Sequence, residues 1–332
     1  MVSGTLLAVI ALTVAFAFVN GFHDAPNAVA TSITTKALTL RAALPVTAAL
    51  NLLGSLLGLG VLAALGHGAL ALSGVPALLS STGQTGLNIL LAALSVATVW
   101  NIVTWWFGIP TSCSHSLFSG LVGATTVAGV MQPGIAGMLS WIVVPIAALI
   151  SAYVMVILLS RMSRSQRLRI RNRHLRLIQT VSACAVALGH GIQDGQRSMG
   201  VLVAALAMTG LQGESTVPWW VAAVVALALA LGTLAGGRRI IRTLGRRLTN
   251  LTTPQGLAAE STTALALYGA SFATGTAVST SHCLTASIIG AGAAVGPGAV
   301  RWSLAARIVG FWVLTPFVCA LGAAGLLFAL GS

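Results

Sequence analysis

Four side chains in this 332-residue sequence carry a carboxylate: Asp24, Asp194, Glu214 and Glu260. Asp24 and Asp194 lie inside long apolar stretches, in Gly21-Phe-His-Asp-Ala-Pro-Asn27 and Gly191-Ile-Gln-Asp-Gly-Gln-Arg197. A carboxylate in such surroundings costs about 3 kcal/mol to insert on translocon scales, so it faces a cavity, an ion or a partner. Two hydroxyl-rich motifs accompany them, Pro110-Thr-Ser-Cys-Ser-His115 and Val278-Ser-Thr-Ser-His282, and each opens an apolar run. A single Ser or Thr at a helix start reads as an N-cap. A repeated cluster offers hydroxyls and free N–H groups at a helix N-terminus, which together bind oxyanions without a full counter-charge.

Other groups extend this set. Arg197 follows Asp194 by three residues, on the same helical face, and reads either as an oxyanion contact or as charge balance. His115 and His282 read as ties from an imidazole N–H to a neighbouring carbonyl, with a proton relay as the other reading. Glu260, beside Ser261, Thr262 and Thr263, reads as an ion or proton site. His67, His174 and His190 carry no clear signal.

These residues are positioned by membrane-spanning helices. The sequence is 57% hydrophobic, only 6% charged, and has a mean hydropathy of +0.96. Soluble domains carry about 25% charged residues, so that class is excluded. Ten apolar segments of crossing length are predicted: 3–32, 43–65, 87–107, 112–130, 137–160, 178–208, 218–236, 257–273, 279–295 and 304–330. The first segment of each half is long and interrupted, by Gly21 and Pro26 in one and by Gly189, Gly191 and Gly195 in the other. Both predict a break at the aspartate, because unwound backbone survives in a membrane only where it lines protein or a wet cavity.

Of the seventeen Lys and Arg residues, sixteen fall at 36–41, 161–176, 238–247 and 301–307. With the N-terminus outside, all four stretches fall on the cytoplasmic side and the opposite loops carry none. The formal net charge of +13 is thus a topology signal, with anionic lipid contact as a secondary effect, and nucleic acid is not an expected partner. Cys113, Cys184, Cys283 and Cys319 show neither metal-ligand spacing nor a disulfide framework. The N-terminus has no basic stretch before its first apolar run, so a cleaved signal peptide is not expected.

The chain repeats itself. Residues 108–124 and 275–291 are identical at seven of seventeen positions without a gap, including Ser112/Ser279, Ser114/Ser281 and His115/His282. Asp24 and Asp194 are 170 residues apart, and His115 and His282 are 167 apart. Five crossings per half send the second copy into the membrane from the opposite side, as in inverted-repeat secondary transporters. The predicted fold is an all-α integral membrane protein of about ten segments in two inverted repeats with broken or re-entrant helices. Residues 1–160 form the first repeat, 161–177 a basic cytoplasmic linker and 178–332 the second. A serine hydrolase is disfavoured, since each Ser and His pair lacks an orienting third group.

Gly21-Phe-His-Asp-Ala-Pro-Asn-Ala-Val-Ala-Thr31 and Trp100-Asn-Ile-Val-Thr-Trp-Trp-Phe-Gly-Ile-Pro-Thr-Ser-Cys-Ser-His115 resemble the inorganic phosphate transporter (PiT) family. So do 189–200, Gly256-Leu-Ala-Ala-Glu260 and Val278-Ser-Thr-Ser-His282. The resemblance implies a symporter, often dimeric, with inorganic phosphate bound between the repeats. It places Asp24, Asn27, Ser112 and Cys113 on one side of the phosphate and Asp194, Arg197, Ser279 and Thr280 on the other. Ser114, His115, Ser281 and His282 would support them. Asp24, Asp194, His23, Gln193 and Glu260 would serve the coupling ion. His23 stands where many sodium-coupled members carry Asn, which is similar to the bacterial low-affinity transporters. That likeness implies proton coupling and uptake of phosphate with a divalent metal as cargo. No resident metal or other cofactor is implied. Gln193, Arg197, Ala277 and Cys113 depart from the family's usual residues, and sulfate and sodium are the rival substrate and coupling ion.

Overall fold

The computed structural model describes residues 4–24, 26–64, 83–130, 135–162, 168–211, 217–274 and 278–331. His67, Glu214, Gly275 and Ala277 lie outside them, as does most of the sequence expected to form loops at 67–86, 131–133 and 212–217.

Every expected apolar segment is helical within these residues. The first half supplies α1 (Gly4–His23), α2 (Asn27–Thr34), α3 (Leu40–Ala64), α4 (Gln84–Trp106), α5 (Cys113–Val127) and α6 (Ile135–Met162). The second supplies α7 (Leu168–Met208), α8 (Trp219–Ala235), α9 (Arg238–Arg242), α10 (Thr253–Thr274), α11 (Thr280–Ala293) and α12 (Trp302–Ala329). Helices satisfy their own backbone groups, which apolar surroundings demand.

Among the described residues six helical spans are long and apolar enough to cross a membrane: Gly4–Thr34, Leu40–Gly60, Gln84–Trp106, Leu139–Arg161, Asn172–Met208 and Trp302–Ala329. A seventh arises if α8 and the helical segment Arg238–Leu248, bent by 52° from it, are one span. Of the ten expected crossings, α5, α8, α10 and α11 are not among these six, and for α5 and α11 the cause is length. Helices α5 and α11 are 15 and 14 residues long, which at a 1.5 Å rise gives about 22 and 21 Å. A bilayer's hydrocarbon core is about 30 Å thick, so each falls short of a full crossing, with its Ser motif at the N-terminal end.

The first predicted break is present. Helix α1 stops at His23, and α2 starts at Asn27 after Pro26, which has no N–H to continue the ladder. The second is absent, because α7 runs unbroken for 41 residues through Gly189, Gly191, Asp194 and Gly195. Its glycines serve packing. A Cβ on Gly191 would lie 2.4 Å from the Asn51 carbonyl oxygen, and one on Gly195 would lie 2.3 Å from Ser55 Oγ. The matched Gly21 does the same for α1, with Leu229 O 2.1 Å from its hypothetical Cβ. These small residues let α7 cross α3 closely, and let α1 cross α8.

The expected basic loop at 238–247 is also helical, and Ile240, Ile241, Leu244 and Leu248 are buried in it. The bend falls at Gly236 and Gly237, and Gly237 has a left-handed φ of 78°. No Cβ fits at Gly237, because the Pro26 ring fills that space. The break in the first half thus packs against the bend in the second. Of the stretch 161–177, residues from Leu168 onward are already the first turns of α7.

Packing is paired. Helix α3 packs on α7 as α8 packs on α1, α5 on α12 as α11 on α6, and α4 on α1 as α10 on α7. Helices α6 and α12 begin 167 residues apart and end 167 residues apart. Both lie at the periphery with large apolar side chains turned outward, among them Leu139, Ile142, Ile146, Phe317 and Leu321. The interior holds His23, Asp24, Asn27, Ser112, Asp194 and Glu260, all buried. Apolar residues outside and polar residues inside are the distribution a lipid-facing bundle needs.

Candidate functional site

The two Ser motifs fold as N-terminal caps. Ser112 Oγ accepts the His115 N–H at 3.3 Å and starts α5, and Ser279 Oγ accepts the His282 N–H at 3.2 Å and starts α11. Both cap residues have extended backbone, the geometry that frees a side chain to turn back onto the helix. The positive ends of two short helices are thereby fixed in the interior.

Each aspartate reaches the other half's motif. Asp24 Oδ1 accepts from Ser281 Oγ at 2.6 Å, and Asp194 Oδ1 accepts from Ser114 Oγ at 3.3 Å. Ser114 and Ser281 are themselves the matched pair, so the two contacts are reciprocal. Asp24 Oδ2 also accepts the Cys113 N–H at 3.3 Å, and Asn27 Nδ2 donates to Ser281 Oγ. Asp194 is held by Arg197 Nη1 at 2.5 Å from Oδ1 and by His190 Nδ1 at 2.7 Å from Oδ2. Arg197 donates to Ser114 Oγ as well.

His23 Nε2 lies 3.1 Å from Thr104 Oγ1 and 3.4 Å from Thr111 Oγ1, and Thr111 donates to Thr104 at 2.9 Å. His23 Nδ1 faces Asp24 Oδ1 at 2.9 Å, where an Nδ1–H donates to the carboxylate. His23, Asp24 and Cys113 bring one ligand atom each within 4.8 Å of one another, a nitrogen, oxygen and sulfur set suited to a divalent transition metal.

Among the described residues sixteen buried side-chain polar atoms have no hydrogen-bond partner in the protein, and Asn27 Oδ1, Thr280 Oγ1 and His282 Nδ1 are among those at this centre. Buried polar groups are nearly always paired, and leaving one unpaired costs about 1–3 kcal/mol. A hydrogen-bonding ligand would relieve that cost.

The remaining expected residues sit in other roles. His115 and His282 meet edge to face with centroids 4.5 Å apart; His115 stacks on Trp141 and His282 on Trp312. Gln193 spans two elements, donating to Leu267 O and accepting the Val278 N–H, each at 3.0 Å. Glu260 of α10 accepts from α2, through Thr31 Oγ1, the Ser32 N–H at 3.0 Å and Ser32 Oγ at 2.8 Å. It joins the halves beyond the Asp24 centre.

Sequence reasoning missed His190, Thr104, Thr31 and Ser32. For His190 a signal existed, since it lies four residues before Asp194 and therefore on its helical face. For the other three no local pattern was available, because their partners are distant in sequence.

A model of the Phosphate transporter family matches residues 20–323 of the sequence. The chain belongs to the phosphate transporter family. Among its relatives, a protein of Rhizobium meliloti (strain 1021) named "Probable low-affinity inorganic phosphate transporter" is 39% identical over 317 residues. That match covers 93% of this chain and 92% of the relative. Proteins with the same name from Mycobacterium bovis and Bacillus subtilis (strain 168) are 40% and 34% identical, covering 93% and 96% of this chain and 74% and 95% of theirs. A solved structure described as "The sodium-dependent phosphate transporter" superposes with a TM-score of 0.83 at 20% identity, covering 99% of both chains, and shows the same fold. The family membership expected from the motifs is thus confirmed. This family member is a multi-pass membrane protein, its helices assembled as in a phosphate transporter of known structure.

Proposed function

We propose that the protein is a secondary active symporter that carries inorganic phosphate across the cell membrane by alternating access. The observation that carries this reading is the reciprocal pair Asp24–Ser281 and Asp194–Ser114 at the N-termini of two short helices. Repeats 1–160 and 178–332, joined through 161–177, would be inverted copies that rock about this centre, with the basic segments cytoplasmic. Phosphate would lie between Asp24, Asn27, Ser112 and Cys113 on one side and Asp194, Arg197, Ser279 and Thr280 on the other. The unpartnered Thr280 hydroxyl and His282 Nδ1 supply donors, and Arg197 the compensating charge. The bundle sits in a lipid bilayer, and the working unit is a homodimer.

Coupling is assigned to protons. The buried His23–Asp24 contact, 2.9 Å between Nδ1 and Oδ1, supports this reading, since an imidazole beside a carboxylate is a group that can carry a proton. A divalent metal carried with phosphate as cargo would use the same His23, Asp24 and Cys113 set. Uptake of labelled phosphate into proteoliposomes tests these assignments. An imposed inward proton gradient is expected to drive uptake, a sodium gradient alone is not, and excess sulfate is expected not to compete. Uptake that follows sodium and ignores the proton gradient would overturn the proton assignment. Competition by sulfate at equal concentration would overturn the choice of anion.

A further inference from the structure

Helix α2 ends far from the centre just described, in an arrangement that function has not yet used. The Lys36 N–H bonds to Ile33 O at 3.2 Å and the Ala37 N–H to Ser32 O at 2.9 Å, which closes the helix in a Schellman motif. The motif puts Lys36 in the left-handed region, with φ of 60°, where glycine is the usual residue. Lys36 is the one such non-glycine residue among those described. Its strained backbone aims an exposed ammonium into a cleft of about 350 Å³ lined by Thr35, Lys36, Asn172, Arg176, Thr252 and Thr253.

The cleft is built for an anion. Lys36 and Arg176 bring two cations from separate elements, and no carboxylate lines it. Asp24, Asp194 and Glu260 are buried elsewhere, so among the described residues no protein carboxylate is free to neutralise these two. The first turn of α10, at Thr253, adds the positive end of a 22-residue helix. Arg offers a planar fork and Lys a point charge, a combination that suits phosphate oxygens. The floor is polar and ordered, with buried Thr35 donating to Gln179 Oε1 at 2.9 Å. The volume accepts a tetrahedral oxyanion with its water.

We propose that this cleft is a second oxyanion site, specific for a phosphate group and separate from the Asp24–Asp194 centre. The group comes either as free inorganic phosphate at the basic face or as an anionic lipid headgroup at the bilayer edge. The site also has a mechanical link inward. Helix α2 is eight residues long, about 12 Å, with Asn27 at one end and the Lys36 motif at the other. Ser32, whose carbonyl closes that motif, also donates to Glu260. An anion clamped between Lys36 and Arg176 thus holds the end of the helix whose start touches Ser281.

The test places a fluorophore at Arg173→Cys in a Cys184→Ser background of the full chain, beside the cleft and outside the Asp24–Asp194 centre. The labelled protein is titrated with inorganic phosphate in neutral detergent, with chloride at matched ionic strength as control. It is then placed in nanodiscs of phosphatidylcholine alone or with phosphatidylglycerol, without phosphate. The proposal expects a saturable signal in one of these arms. Phosphate in detergent identifies the free anion, and a signal that needs phosphatidylglycerol identifies the headgroup. Lys36→Gln with Arg176→Gln is expected to weaken either response about tenfold or more, and Asp194→Asn to leave it in place. No response in both arms, an unchanged response in the double variant, or loss of the response in Asp194→Asn would each overturn the proposal. The unfolding midpoint of Lys36→Gln with Arg176→Gln, expected within a few degrees of the parent, excludes misfolding as the cause.

Discussion

Arg197 is where a structural and a functional reading of the site diverge most clearly. Replacing it by Met removes the guanidinium 2.5 Å from Asp194 Oδ1 and the donor to Ser114. Asp194 is then a buried carboxylate with His190 Nδ1 still beside it at 2.7 Å. Removing one member of a buried pair costs about 3–5 kcal/mol, because the other charge stays desolvated. His190 offsets part of that, which puts the expected loss near 3 kcal/mol. At about 1.4 kcal/mol per factor of ten, that is more than a hundredfold in the unfolding constant. Asp194→Asn combined with Arg197→Met removes both charges and is expected within ~1 kcal/mol of the parent, since neutral replacement of a buried pair is often tolerated. Denaturant unfolding in micelles, followed by fluorescence of the eight tryptophans, measures all three proteins. Phosphate uptake is measured alongside. The double variant is expected to be stable and inactive. Equal stability of the single and double variants would refute the charge-pair reasoning, and full uptake by the double variant would leave the pair a structural role only.

Other perturbations separate packing from binding. A side chain at Gly191 or Gly21 meets backbone at 2.4 and 2.1 Å, so Gly→Leu at either is expected to cost about 1–3 kcal/mol or more. Gly60, with nothing within 4 Å of a Cβ, is expected to accept Ala without loss, and size-exclusion profiles and melting curves of the variants check both outcomes. Thr280→Val keeps the side-chain shape and removes a hydroxyl with no partner in the protein. Stability is expected to hold while the KM for phosphate rises roughly tenfold, the equivalent of about 1–1.5 kcal/mol for one hydrogen bond.

Much of this was legible in the sequence because membranes restrict the alternatives. Long uncharged runs must be helices, and the repeated Ser-x-Ser-His pattern marked the starts of α5 and α11. What stayed hidden depends on three-dimensional proximity. Gly191 and Gly195 have the same composition whether a helix breaks or is crossed closely, and only the position of Asn51 and Ser55 decides between them. The shortness of α5 and α11 was masked because apolar residues continue beyond the helix ends. Glu260 looked like an isolated ion site, since its donors Thr31 and Ser32 lie more than two hundred residues away. Gln193 also ties Leu267 to Val278, which its place beside Asp194 in the sequence does not reveal.

The two aspartates remain the centre of the account, and uptake by their neutral variants tests it most directly. Asp24→Asn and Asp194→Asn keep the side-chain volume and remove the charge that receives Ser281 in one half and Ser114 in the other. Reconstituted into proteoliposomes at equal protein content, each is expected to lose labelled-phosphate uptake while remaining folded in the membrane. Uptake at the parent rate by both variants would contradict the account.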